Sequence, residues 1–171
     1  MKGKWADGIQ PRNFAWVIKD QLAACERPGG YGAHHRRVRR QEEIIWIRQQ
    51  GFDLVVSLIP SPHNLHNYEE LGLPYVHRPW PSHDQLSSYL RELHAEIADA
   101  LASGRKVLVH KEEVGDRVCG LTAVHLVMAG LVPSGPQATA IVERIFQRRL
   151  GPIGRELVEV ALDLRDAESA S

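Results

Sequence analysis

Apolar and polar positions change period along this chain in a way that separates strands from helices. Over residues 13–23 they alternate closely enough for one or two short strands. Pro28, Gly29, Gly30 and Gly32 then mark a loop. From about residue 36 to 50 the period lengthens to that of a helix. Val38, Ile44, Ile45 and Ile47 share one broad face, and Gly51 supplies a stop. Residues 53–59 form a nearly all-apolar, β-branched run ended by Pro60, the pattern of a strand buried on both faces. Residues 64–71 suit a short helix closed by Gly72, and residues 73–80 another strand running into a loop with Pro79, Pro81 and Ser82. Leu86, Leu90, Leu93, Ile97 and Leu101 recur at helical spacing, with Asp84 placed to cap that helix and Gly104 to end it. Residues 106–110 make the next strand, and residues 121–131 are apolar enough for a buried helix. Pro136 suits the first turn of a helix through Arg149, and Gly151 with Pro152 separates it from a last helix over 154–164. Residues 165–171 are expected to fray.

Strands and helices alternate through most of this order, so the expected fold is α/β with a mainly parallel central sheet flanked by helices. The chain has 171 residues, a length for one domain with a real core, and no repeat or linker breaks it. Composition adds little: 43% apolar and 25% charged are ordinary for a globular protein. Charge excludes more. A formal net charge of zero gives no global field toward nucleic acid or an anionic membrane. No apolar run approaches the roughly 18 residues of a membrane span, and residues 1–8 lack the apolar core of a signal peptide. Cys25 and Cys119 are far apart and read as free thiols. A cytoplasmic location is the expectation, with no cofactor implied.

The chemistry concentrates at residues 107–117, Val-Leu-Val-His-Lys-Glu-Glu-Val-Gly-Asp-Arg: a buried-type strand, a short polar loop, then a helix. Together with Gln10-Pro-Arg-Asn-Phe-Ala-Trp-Val-Ile, Leu22-Ala23, Arg27-Pro28-Gly29 and Val55-Val-Ser-Leu, this unit resembles the small, single-domain dual-specificity branch of the protein tyrosine phosphatase family. The similarity runs over roughly residues 9–165. It implies a sheet of about four or five strands flanked by helices. It also implies a loop in which a cysteine thiolate attacks phosphorus, an arginine clamps two phosphate oxygens, a following hydroxyl assists, and an aspartate elsewhere protonates the leaving oxygen.

Residue by residue, this sequence departs from that scheme. Lys111 stands where the cysteine belongs, directly after His110. Val114 replaces the glycine, which comes one place later as Gly115, and only glycine adopts positive φ cheaply. Arg117 keeps the arginine place, but Val118 replaces the hydroxyl residue. Trp80 falls about where the acid should be, leaving Asp84 as the weak general-acid candidate. Three carboxylates, Glu112, Glu113 and Asp116, oppose Lys111 and Arg117. Unit charges interact by about 4 kcal/mol at 4 Å near a protein surface, so inward carboxylates would disfavour a bound dianion.

The resemblance therefore implies a pseudophosphatase: a binding or regulatory module that retains an anion site among Lys111, Glu112, Glu113, Val114, Gly115, Asp116 and Arg117. His110 would orient that loop. The expected ligand is a phosphorylated protein or a small phosphorylated molecule. Two alternatives stay open: an enzyme of altered chemistry using Lys111 or a loop carboxylate, and a structural interaction protein with a closed pocket. Cys119 reads as a buried packing residue rather than a displaced nucleophile. The spacing of His110, Glu112 and Glu113 is no recognised metal pattern. The basic run from His34 to Arg40 reads as a solvated helix start or a docking surface for an acidic partner, with nucleic acid disfavoured by the neutral net charge.

Overall fold

The structure, a computed structural model, describes residues 8–30 and 36–170. Its elements follow the order β1 (Ala15–Ile18), β2 (Leu22–Glu26), α1 (Arg37–Gln49), β3 (Leu54–Ser57), α2 (His66–Glu70), β4 (Tyr75–His77), α3 (Leu86–Ala102), β5 (Val107–Lys111), α4 (Asp116–Met128), α5 (Gly135–Phe146) and α6 (Pro152–Ser169). A 3₁₀ turn over His83–Gln85 leads into α3. The contacts divide the chain into two compact units. One holds the described residues up to Trp80 with Ala100–Val114; the other holds Pro81–Asp99 with the described residues from Gly115 onward.

The first unit carries the sheet, in the order β1-β2-β5-β3-β4. Only the β1–β2 pair is antiparallel; β2–β5, β5–β3 and β3–β4 are parallel. The continuous apolar runs seen in the sequence follow from this topology. Strands β2, β3 and β5 lie inside the sheet and every residue of β2 and β3 is buried. One face packs on α1 and α2 through Ala23, Cys25, Val55 and Leu108 against Ile44, Ile47, Leu65 and Tyr68. Phe14, Trp16 and Phe52 close that core at the β1 edge as a ring cluster, with Trp16 stacked on Phe52 at 5.4 Å.

The second unit is helical. α4 is buried from Val118 through Val127 and packs against both α5 and α6. Its approach to α6 needs Gly120, where a Cβ would stand 2.7 Å from Leu157 Cδ1 and 2.8 Å from Gly154 Cα. Two boundaries differ from the sequence reading. α4 begins at Asp116, not near residue 121, and α6 continues to Ser169 through most of the segment expected to fray.

Candidate functional site

Strand β5 delivers the loop. Its side chains alternate between faces, and its carbonyls and N–H groups are held on both sides by β2 and β3. Lys111 is not the first loop residue but the last of the strand, opposite Glu26 of β2, and its carbonyl accepts from Arg27 N at 2.8 Å. Its side chain is half-buried. Glu112 and Val114 are half-buried too, and Glu113 is exposed. The charge of Glu113 reaches Glu26, whose carboxyl is raised above its usual range by burial first and by Glu43 and Glu113 as lesser causes; Asn13 and Arg12 oppose them. The start of the loop thus sits among carboxylates.

Gly115 caps α4 at φ −104°, ψ −160°, an extended conformation open to any residue. No residue of 107–117 has positive φ, so the displaced glycine is not used for its conformational freedom. Asp116 has a definite partner set. Its two carboxylate oxygens accept from Gly151 N at 2.6 Å and Gly154 N at 2.7 Å, which caps the start of α6. This acid is a latch between α4 and α6, a role that no pattern around residue 116 shows. Arg117 is exposed and makes no hydrogen bond or ion pair among the described residues. Val118 is fully buried, so no hydroxyl follows the arginine.

His110 corrects an expectation. It is 1% exposed, and neither ring nitrogen has a hydrogen-bond partner, so the ring does not orient the loop by bonding to backbone. Only its backbone carbonyl engages, accepting from Leu58 N at 2.9 Å. Burial, then the charges of Arg27 and His77, push the imidazole down to about 3, so it is neutral at physiological pH. Asp84 is exposed within the 3₁₀ turn, where its carboxylate accepts from Ser82 Oγ at 2.7 Å. Trp80 follows β4 and is half-buried.

Both cysteines are buried. Cys25 is enclosed in the first unit's core, and burial raises its thiol well above the ordinary value. Cys119 is 1% exposed, its thiol pushed up to about 11, mainly by burial. The basic run is partly consumed by folding: Arg39 Nε pairs with Glu43 Oε1 at 2.6 Å, and buried Arg40 donates from Nε to Asn67 Oδ1 at 2.7 Å. Arg36 and Arg37 are exposed; His34 and His35 lie outside the described residues. Among the described residues no group of three or more His, Cys, Asp or Glu is placed to hold a metal ion, and no helix is long and apolar enough to cross a membrane.

Comparison of the fold decides the class. The chain matches kinase associated phosphatase carrying serine in place of its catalytic cysteine, with TM-score 0.75 and 20% identity over 95% of this chain and 98% of that one. The chain has the protein tyrosine phosphatase fold. The phosphatase Tk-PTP in its active form matches at TM-score 0.70 and 20% identity, over 90% of this chain and 97% of that one. The human tyrosine phosphatase-like serine/threonine/tyrosine-interacting protein matches at 0.65 and 12%, over 92% and 98%. No protein-family model and no curated protein sequence matches the chain. The phosphatase fold is therefore shared while the sequence has moved far away, and the loop residues must be read on their own chemistry.

Within that phosphatase fold, sequence reasoning missed Arg27, Tyr68 and Glu43. Buried Glu43 accepts from Gly29 N at 2.8 Å as well as from Arg39, and so pins the turn that carries Arg27. Gly29 and Gly30 both take left-handed φ, 86° and 81°, which lets that turn fold back. The Arg-Pro-Gly-Gly run signalled a turn but not what the arginine would face.

Proposed function

We propose that this protein is a phosphatase-fold binding or regulatory module that does not hydrolyse phosphate esters. The observation that carries this reading is the state of its thiols. The chain has two cysteines, and both are buried with their thiols held protonated. At a thiol value near 11, the thiolate fraction of Cys119 at neutral pH is roughly one in ten thousand. The strand end where a nucleophile would emerge carries Lys111 instead, beside Glu26 and Glu113. An ammonium has no lone pair to offer phosphorus. The retained feature is Arg117, exposed and without a partner among the described residues, which supports recognition of a phosphorylated ligand rather than its turnover.

The test is hydrolysis of an aryl phosphate and a phosphopeptide panel by the purified protein and by Arg117→Ala. No turnover above background is expected from either. Turnover that Arg117→Ala abolishes would overturn the reading. Lys111→Cys alone is also expected to stay inactive, because Val118 offers no hydroxyl and Asp116 remains committed to α6. Robust Arg117-dependent hydrolysis by Lys111→Cys would show the remaining machinery to be intact.

A further inference from the structure

The first unit holds a cluster of buried polar side chains that the loop chemistry does not use. At the carboxyl ends of β2, β3 and β5 a small pocket opens, lined among others by Arg27, Arg40, Ile59, His63, Tyr68 and His110. Its interior has room for about one water-sized atom, a volume of about 10 Å³. Two of its lining groups are buried polar side chains with unused hydrogen-bonding capacity. Tyr68 is 2% exposed and its hydroxyl has no partner; both ring nitrogens of His110 are likewise unpartnered. The two rings stand 5.8 Å apart, centroid to centroid. Buried polar groups left without partners are costly in a native fold, and such groups gathered on one pocket point to a ligand.

Charge supplies the class of that ligand. The Arg27 guanidinium makes no hydrogen bond or ion pair among the described residues, yet its charge falls on Tyr68, His110 and Arg40 together. Arg40 is fixed from below: its Nε bonds Asn67 Oδ1, and Asn67 Nδ2 bonds Glu70 Oε2 at 2.9 Å. The nearby carboxylates Glu43 and Glu70 are both already engaged, the first by Gly29 N and Arg39, the second by Asn67. The Arg27 guanidinium, the buried positive charge of Arg40 and two neutral donors beneath suit a tetrahedral oxyanion better than a planar or apolar group.

We propose that this pocket binds a phosphate group, one oxygen entering between Tyr68 Oη and the His110 ring while Arg27 clamps the oxygens left at the mouth. Arg117 is not among the residues lining the pocket, so the site stands or falls independently of the loop's role. Inorganic phosphate is the probe, titrated into the full-length protein at constant ionic strength with chloride as the control, and followed by melting temperature and calorimetry. A ligand that binds only the folded form must raise the melting temperature. Phosphate, and not chloride, is expected to do so in the wild type and in Arg117→Ala. Arg27→Ala and Tyr68→Phe are each expected to weaken phosphate binding by about tenfold or more. Tyr68→Phe removes only an unpartnered hydroxyl, so the fold survives it. Free phosphate is also compared with a phosphoserine peptide: equal affinity identifies a site for small phosphates, and tighter peptide binding identifies one for a phosphorylated protein, each supporting the pocket if it depends on Arg27. No response to phosphate, an equal response to chloride, or a response lost in Arg117→Ala but kept in Arg27→Ala overturns the proposal.

Discussion

Tyr68 holds a buried hydroxyl that neither donates nor accepts within the protein. In the unfolded chain that hydroxyl is solvated, so folding costs its hydration and returns nothing unless a ligand is bound. Tyr68→Phe is therefore expected to stabilise the ligand-free protein by about 1 kcal/mol, a melting shift of roughly 2–4 °C for a chain of this size. Urea denaturation without phosphate checks this; a destabilised variant would show that the hydroxyl has a partner in solution. The thiols give a second test. Cys25 and Cys119 are expected to resist a thiol-specific disulfide reagent at pH 8 in native protein and to react fully in urea, and rapid native labelling of Cys119 would contradict its burial. Residue identity in the loop was legible in the sequence: Lys111, Val118 and the displaced Gly115 are visible without a structure. The pocket was not, because Arg27, Arg40, Tyr68 and His110 are far apart in the chain and meet only through the parallel order of β2, β5 and β3.

Among the elements, α6 depends on an acid supplied by α4. The N–H groups of Gly151 and Gly154 at the head of α6 have Asp116 as their acceptor, so one carboxylate satisfies donors that a helix start leaves unmade. Asp116→Ala is expected to cost about 1–2 kcal/mol, and Asp116→Asn less, since one acceptor oxygen remains. Gly120→Ala is expected to destabilise as well: Leu157 Cδ1 can swing aside, but the new methyl would also stand 2.8 Å from Gly154 Cα, which is backbone and cannot. Urea melts of the three variants rank these effects, and an Asp116→Ala protein as stable as wild type would remove the latch. The same contact explains a boundary that periodicity misplaced. Asp116 and Arg117 look like loop residues, and nothing local reveals that α4 starts there to face a partner 35 residues on. Elements whose signal is local, such as the leucine-spaced α3 and the β-branched β3, were legible from the pattern alone. The length of α6 was hidden for the opposite reason: residues 165–169 are polar, and polarity at a chain end reads as fraying although those residues are helical here.

Across the whole molecule, the histidines set how stability responds to acid. Burial, with lesser contributions from neighbouring charges, pushes His110 down from 6.5 to about 3 and His125 from 6.5 to about 4; His94 beside His125 is lowered too, by burial against an opposing pull from Glu168. A lowered folded-state value means that the unfolded chain takes up a proton first. Above about pH 6.5 neither state is protonated at these rings and they contribute no pH dependence. As pH falls from 6.5 toward 4, the unfolded state gains protons that the folded state refuses, and stability declines by about 1.4 kcal/mol per pH unit for each of His110 and His125. Glu26 acts in the other sense, since its raised carboxyl favours the protonated folded form, but His110, at about 3, and His125, at about 4, both lie far below 6.5. The protein is therefore expected to lose stability steeply between pH 6 and pH 4, before the bulk of its carboxylates titrate. Urea denaturation at pH 7, 6, 5 and 4.5 measures the slope, and His125→Leu isolates one ring: its curve is expected to be shallower than wild type by about 1.4 kcal/mol per unit. Parallel curves for the two proteins would mean that His125 takes up its proton as readily in the fold as in the unfolded chain, and its burial beside His94, ring centroids 5.1 Å apart, would not lower it.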